Sequence, residues 1–352
     1  MSALALLLLG AVATARPALP NDLHTFLRDQ AGFSEKDLQA VQQGEIVTRL
    51  LDAGDRPEVA IVGVMHLEAY ADVFARVYEN PENFMNADPV VQFGVFASPP
   101  RVSDLHEFSL DSSDLAAIRE CRVGDCDIKL PASAIERLGQ EVNWQNPESK
   151  KQVNEMFKQM LVDYVSAYEL GGNAALGQYD DQKYPLRIAD EFHELLEESS
   201  YILDSLPEVR EYLEGVPQVS SPDAVSLVSW SKRQYEKLRP IVCLNHVVWF
   251  TVPEGAIRNV MASKQLYASH YFEASLELMA VIDDDEVEET PGMYVVYVNR
   301  SSLDALRRSA PPGMKDRMRH GLRDRVDTEM TSVKSRLEAL GQQGPSSGEG
   351  KP

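Results

Sequence analysis

SKQLYASHYFEASLELMAVIDDD, residues 263–285, lies between two other stretches dense in β-branched and aromatic residues, RPIVCLNHVVWFTVP (239–253) and GMYVVYVNRSS (292–302). Val, Ile, Tyr, Phe and Trp at this density read as strands, and the short spacings between them suit an antiparallel meander. The central stretch is long for a single strand, so it is expected to bend or to carry a bulge. Alternation along it puts Tyr267, Ser269 and Tyr271 on one face and Ala268, His270, Phe272 and Ala274 on the other. The chain then changes character. From about Lys315 to Leu340, the residues Leu322, Val326, Met330, Val333, Leu337 and Leu340 recur at steps of three and four, a narrow apolar stripe with charge on the other faces. Strands followed by one long amphipathic helix imply an α+β fold whose helix is laid on an antiparallel sheet.

Upstream, EIVTRLLD (45–52), RPEVAIVGVMHLEA (56–69) and VVQFGVFAS (90–98) read as further strands, and YADVFARVYEN (70–80) returns to helical spacing. Before them, residues 21–45 read as two short helices, the second capped by Ser34 with Asp37 three positions on. DSSDLAAIRE (111–120) and PASAIERLGQEV (131–142) read as helices flanking a strand CDIKL (126–130). Residues 147–236 read as mostly helical, and their clearest piece is a stripe through Val153, Phe157, Leu161, Tyr164, Val165 and Tyr168 that starts after Pro147 and stops at Gly171-Gly172. That stripe is core material rather than a cofactor box. The expected organisation is a leader over 1–15, helices over 16–43, a first α+β part over 44–146, a helical insertion or subdomain over 147–236, strands and the last helix over 237–340, and a Gly/Ser/Pro-rich tail over 341–352.

The leader rests on MSALALLLLGAVATARPALP (1–20), an apolar run too short to span a bilayer, closed by the small-x-small pattern Ala13-Thr14-Ala15. It predicts export to the periplasm or medium, with cleavage near Ala15. The formal net charge of -21 disfavours nucleic acid as a partner. One basic segment, RRSAPPGMKDRMRHGLRDR (307–325), runs against this, either as a solvated face paired with the protein's own acids or as a contact for anionic membrane through Arg317, Arg319 and Arg323.

Signatures of known chemistry are missing from the sequence. It contains no glycine-rich phosphate loop, no H-E-x-x-H, no G-x-S-x-G and no C-x-x-C-H. Four histidines are weighed: His66, His246 and His270 on expected strands and His193 on a helix. His246 and His270 would make a general-base or metal site if their strands brought them together; otherwise each is a core histidine hydrogen-bonded to a neighbour. No metal ligand set or cofactor is selected by spacing. The acidic run DDDEVEE (283–289) lacks the glycine and spacing of a calcium loop and reads as a solvated hairpin tip. Cys121 and Cys126 flank RVGD, offer only two thiols and sit too far apart for C-x-x-C; in an exported chain they are expected to pair as a disulfide, leaving Cys243 free and buried.

The order of elements, a strand followed by helices, then antiparallel strands, then one long C-terminal helix, resembles the helix-grip architecture of START and related SRPBCC lipid-transfer domains. The resemblance covers residues 44–130 and 240–340 and rests on element order, with the helical block between them as a departure. It implies an apolar cavity between a curved sheet and the last helix. The phrases SKQLYASHYF and YVNRS also resemble exported bacterial proteins of no assigned function. The resulting expectation is a binding module for a lipid or other apolar molecule, with His246, Trp249, Tyr267, His270, Tyr271 and Phe272 as candidate pocket residues. A histidine-dependent hydrolase and an envelope interaction protein are the competing readings.

Overall fold

The computed structural model describes residues 21–69, 89–204, 206–215, 224–252, 256–284, 292–307 and 313–341. The expected leader, the helix at 70–80, most of the acidic run, the side chain of Leu340 and the tail lie outside them.

The chain forms an α+β fold around one eight-stranded antiparallel sheet. Two helices, α1 (Asn21–Asp29) and α2 (Glu35–Gln42), lead into β1 (Val47–Leu50), β2 (Glu58–Leu67) and β3 (Val90–Val95). Ser34 caps α2, accepting from the Asp37 N–H while the Asp37 carboxylate accepts from the Ser34 N–H. A helical block follows: α3 (Ser112–Glu120), α4 (Ala132–Glu141), the long α5 (Ser149–Gly171), the two-residue strands β4 (Gln178–Tyr179) and β5 (Leu186–Arg187), then α6 (Ile188–Glu198), α7 (Ser200–Leu203) and α8 (Pro207–Glu214). The rest is a meander, β6 (Ala224–Arg233), β7 (Ile241–Thr251), β8 (Ile257–Ala268), β9 (Phe272–Asp283) and β10 (Met293–Leu303), closed by α9 (Asp304–Arg307) and α10 (Met314–Gly341). Strand order is β1-β2-β10-β9-β8-β7-β6-β3, so the early strands complete both edges of the late meander.

Three expectations are corrected. Residues 263–285 are not one bent strand. They are the end of β8 and the whole of β9, folded back at Ser269-His270-Tyr271, where Tyr271 takes a φ of 63° and the Phe272 N–H donates to the His270 carbonyl at 2.7 Å. The turn breaks the alternation expected through residues 267–274. Residues 224–233 are a strand, not part of the helical block, because they pair along their length with β7. Residues 126–130 are not a strand: the backbone N–H groups of Gly124, Cys126 and Lys129 donate instead to the carbonyls of Asp180, Asp181 and Ser269. Cys121 and Cys126 form a disulfide at the head of that loop, Gly124 supplies its positive φ of 84°, and Cys243 is free and buried.

The sheet's two faces are covered differently. On one, α1, α2, α6 and α8 pack on Val62, Val64, Val248, Val260, Leu276, Leu278 and Val296. The same layer continues through α3, α4 and α5 onto Trp230, Val242, Leu244 and Leu266. The other face carries α10, whose stripe of Leu322, Val326, Met330, Val333 and Leu337 meets Ile61, Met65, Met261, Met279 and Val295. Helix α10 packs mainly on β1 and β2. Gly63 permits this approach, because a Cβ there would collide with the Met330 sulfur.

Candidate ligand-binding site

Because α10 leans on the β1–β2 edge, one helix cannot fill the space above β6, β7, β8 and β9. A cavity of about 630 Å³ remains between it and the sheet. Strand register determines which side chains enter, since every second residue of each strand faces it. Trp249, Met261, Met279 and Tyr297 follow one another across β7, β8, β9 and β10 as successive ladder partners, and Val295 and Met65 extend the apolar end. Two residues further along the strands the row turns polar. Ser263 faces Glu277, and Glu277 faces Asn299; beyond them Ser229 faces Asn245. Asn245 Nδ2 donates to Ser263 Oγ at 3.3 Å, and Asn299 Nδ2 to Glu277 Oε1 at 3.4 Å. Val326, Glu329, Met330, Val333 and Arg336 of α10 form the opposite wall, and Pro89, Val90 and Phe93 close the side near β3.

The charged groups concentrate at the polar end. Arg233, the last residue of β6, lines the cavity with Glu277 and Glu329. Burial raises the Glu277 carboxyl above the ordinary range against the pull of Arg233. Glu329 is both reachable and enclosed. It is exposed on α10, yet the protein around it pushes its carboxyl up to about 7, with Arg233 and Arg325 opposing and Glu277 reinforcing the rise. Its exposed surface leaves the carboxyl open to solvent screening, which weakens its pull on the neighbouring charges. Burial alone would lower Arg233, but its surroundings, Glu277 and Glu329 among them, hold it above its ordinary value and the guanidinium stays charged.

Of the six pocket residues expected from sequence, Trp249 lines this cavity and the other five do not. His246 points to the opposite face, where the Tyr168 hydroxyl hydrogen-bonds its Nδ1 at 2.8 Å and Tyr212 contacts its Nε2. Burial, with Lys264 nearby, lowers it to about 3, so it is a neutral core imidazole. Tyr267 lies in the core under α5, its hydroxyl donating to the Lys129 carbonyl at 2.8 Å. His270 occupies the β8–β9 turn and bonds Asp114 of α3 at 2.9 Å. Tyr271 in the same turn accepts from the Arg239 N–H at 3.0 Å, and Phe272 opens β9 half-buried. The two histidines do not converge, although β7 and β8 pair: His246 stands opposite Lys264, six residues from His270. Among the described residues, no three His, Cys, Asp or Glu side chains are placed to share a metal ion.

Sequence reasoning missed Arg233, Glu277 and Glu329. The available signal was alternation: Glu273, Ser275 and Glu277 interleave with Ala274, Leu276 and Leu278, which marks a strand face more polar than a filled core takes. In the basic segment, Arg307 pairs with Glu273 and Glu191, Arg319 donates to the carbonyls of Glu58 and Arg56, Arg323 pairs with Asp324, and Arg325 lies 4.2 Å from the centre of the Tyr235 ring, while Arg317 is exposed. Among the described residues no helix is long and apolar enough to cross a membrane. Comparison with protein-family models, with curated proteins and with solved structures finds no match.

Proposed function

We propose that this protein is a binding module that holds one small molecule with an apolar body in the space between sheet and last helix. The observation that carries this is the cavity itself. At about 630 Å³ it falls within the size range of small-molecule sites, and its Trp, Met and Val walls with a few converging polar groups match their usual composition. The volume suits a single-chain amphiphile or a compact lipid. The likeness to START-type domains, drawn from element order, agrees with this reading. Export would suit the Cys121–Cys126 disulfide, which persists in oxidising compartments, and an anionic membrane surface meeting Arg317 would be a natural source of such a ligand. A histidine-dependent hydrolase has less support, because His246 is neutral and enclosed and His270 is tied to Asp114.

Native mass spectrometry of the purified protein, with organic extraction and identification of what it releases, tests the proposal directly. A bound amphiphile in the wild type, lost in a correctly folded Met261→Trp variant, is the expected outcome. A protein that carries nothing and binds no apolar fluorescent probe would overturn it.

A further inference from the structure

We propose that the ligand's head is a carboxylate held by Arg233, with its apolar chain laid along Trp249, Met261 and Met279; this rests on the binding reading above. The cavity is polar at one end and apolar at the other, so an amphiphile can enter in only one productive direction. At the polar end the buried Nε of Arg233 has no hydrogen-bond partner among the described residues, although Arg233 hydrogen-bonds Tyr235. A buried, unmatched donor on a guanidinium calls for an acceptor oxygen. A carboxylate is the planar, singly charged acceptor that a guanidinium fork matches best. Ser229, Asn245 and Ser263 line the same end and can complete its hydrogen bonds.

The neighbouring carboxyls compete for Arg233 less strongly than carboxylates in water would, because both are held above their ordinary range. Glu277 and Glu329 both shift upward, Glu329 to about 7, while Arg233 stays charged. Protonation of Glu329 below about pH 7 therefore removes one of the two carboxylates that compete for Arg233. An ammonium head would meet Arg233 unfavourably, and an alcohol would leave its charge unmatched. The titratable and charged groups facing Glu329 are Arg233 from β6, Glu277 from β9 and Arg325 of its own helix, with Tyr235, Cys243 and Tyr297 in the surroundings and Arg336 on the same wall. A carboxylate ligand adds one more anion to this group and so favours protonated Glu329. By linkage, affinity is highest below about pH 7 and falls as the pH rises through that value and Glu329 ionises to compete for Arg233.

Calorimetric titration of the full chain with dodecanoate, dodecanol and dodecylamine separates the possibilities. At about pH 6, dodecanoate should bind about tenfold or more tightly than dodecanol, the gain of one charge-assisted hydrogen-bonded pair. Its affinity should fall between about pH 6.5 and pH 8.5 in the wild type and stay level in Glu329→Gln. Arg233→Met should remove the preference for the acid over the alcohol, read as the ratio of their two affinities. If Arg233→Met fails to fold, the ranking of the three heads and the Glu329→Gln pH profile decide alone. Equal binding of acid and alcohol, or tightest binding of the amine, would overturn the carboxylate head and leave the cavity reading standing. Failure of all three to bind would overturn both.

Discussion

The two faces of the sheet meet very different amounts of helix. The face under α5, α6 and α8 is filled: aromatic rings interlock there, with Phe108 stacked on Phe157 at 5.8 Å and edge-on to Trp230 at 5.6 Å. Much of its buried polarity is matched in place, as His246 is by Tyr168 and Tyr212, and Lys264 by Asn173 at 2.6 Å and the Leu213 carbonyl at 3.2 Å, although the Arg300 Nε there has no partner among the described residues. The face under α10 is hollow beyond β1 and β2, and its polar groups are grouped at one end around an arginine with an unmatched donor. Buried polar groups that are fully matched belong to the architecture; those that converge on empty space are available to a ligand. On that distinction His246 and His270 sit in matched architecture, and residues with no sequence motif line the candidate site.

The largest effect should come from emptying the filled face. Trp230 is 1% exposed, and its Nε1 donates to the Asp104 carbonyl at 2.9 Å. Trp230→Ala should cost ~3–5 kcal/mol, from lost burial, an unrelaxed cavity and an orphaned carbonyl. Urea unfolding monitored by circular dichroism measures it. A loss below about 1 kcal/mol would mean that the supposedly filled face has slack, and the contrast between the faces would fail.

A second, smaller effect probes the same face by pH. Burial lowers Lys264 to about 7. The unfolded chain holds that proton up to about pH 10.4, so between the two values the unfolded state binds more protons and stability rises with pH. From pH 7 to pH 9 the gain should be about 2 kcal/mol. His246, lowered to about 3, acts with the same sign in a more acid window, its contribution disappearing as the pH falls from about 6.5 toward 3. Lys264→Met should flatten the rise between pH 7 and pH 9, compared with the wild type by urea midpoints at the two values. An unchanged slope would assign it to other groups.

How much of this was legible depended on whether the decisive signal was local. The α10 stripe was readable because its period alone places Leu322, Val326, Met330, Val333 and Leu337 on one face, and the fold class followed from it. The β8–β9 turn was not. Ser269-His270-Tyr271 contains no Gly, Pro, Asn or Asp, and Tyr271 takes a positive φ that sequence rules reserve for Gly or Asn. Missing the turn put His270 and Phe272 into an imagined pocket face. Strand β6 was hidden for a similar reason, since its serines at 226, 229 and 231 dilute the apolar pattern. The candidate site was legible only at Trp249. Arg233, Glu277 and Glu329 come from β6, β9 and α10, and their meeting is a property of sheet register and helix placement that no local spacing carries.

The sharpest test of the two faces needs only neighbouring residues. Val247 and Val248 are consecutive on β7 and point to opposite sides: Val247 lines the cavity, while Val248 is fully buried beneath the helical layer. The same enlargement at each position meets either space or packed atoms. Val248→Phe should cost ~1–3 kcal/mol, because surrounding side chains must leave their rotamers to admit the ring. Val247→Phe should change stability by less than about 1 kcal/mol, because the ring enters existing volume and gains contact with Met261 and Met279 where Val247 now faces empty space. Strand propensity cancels in the comparison, since both changes are Val to Phe on one strand. Thermal and urea unfolding of the two variants give the difference, and titration with an apolar probe gives the second readout, because Val247→Phe should also occupy ligand space and weaken binding. Equal costs at the two positions would mean that the cavity closes in solution. A tolerated Val247→Phe that binds the probe as well as the wild type would keep the hollow face but move the ligand elsewhere.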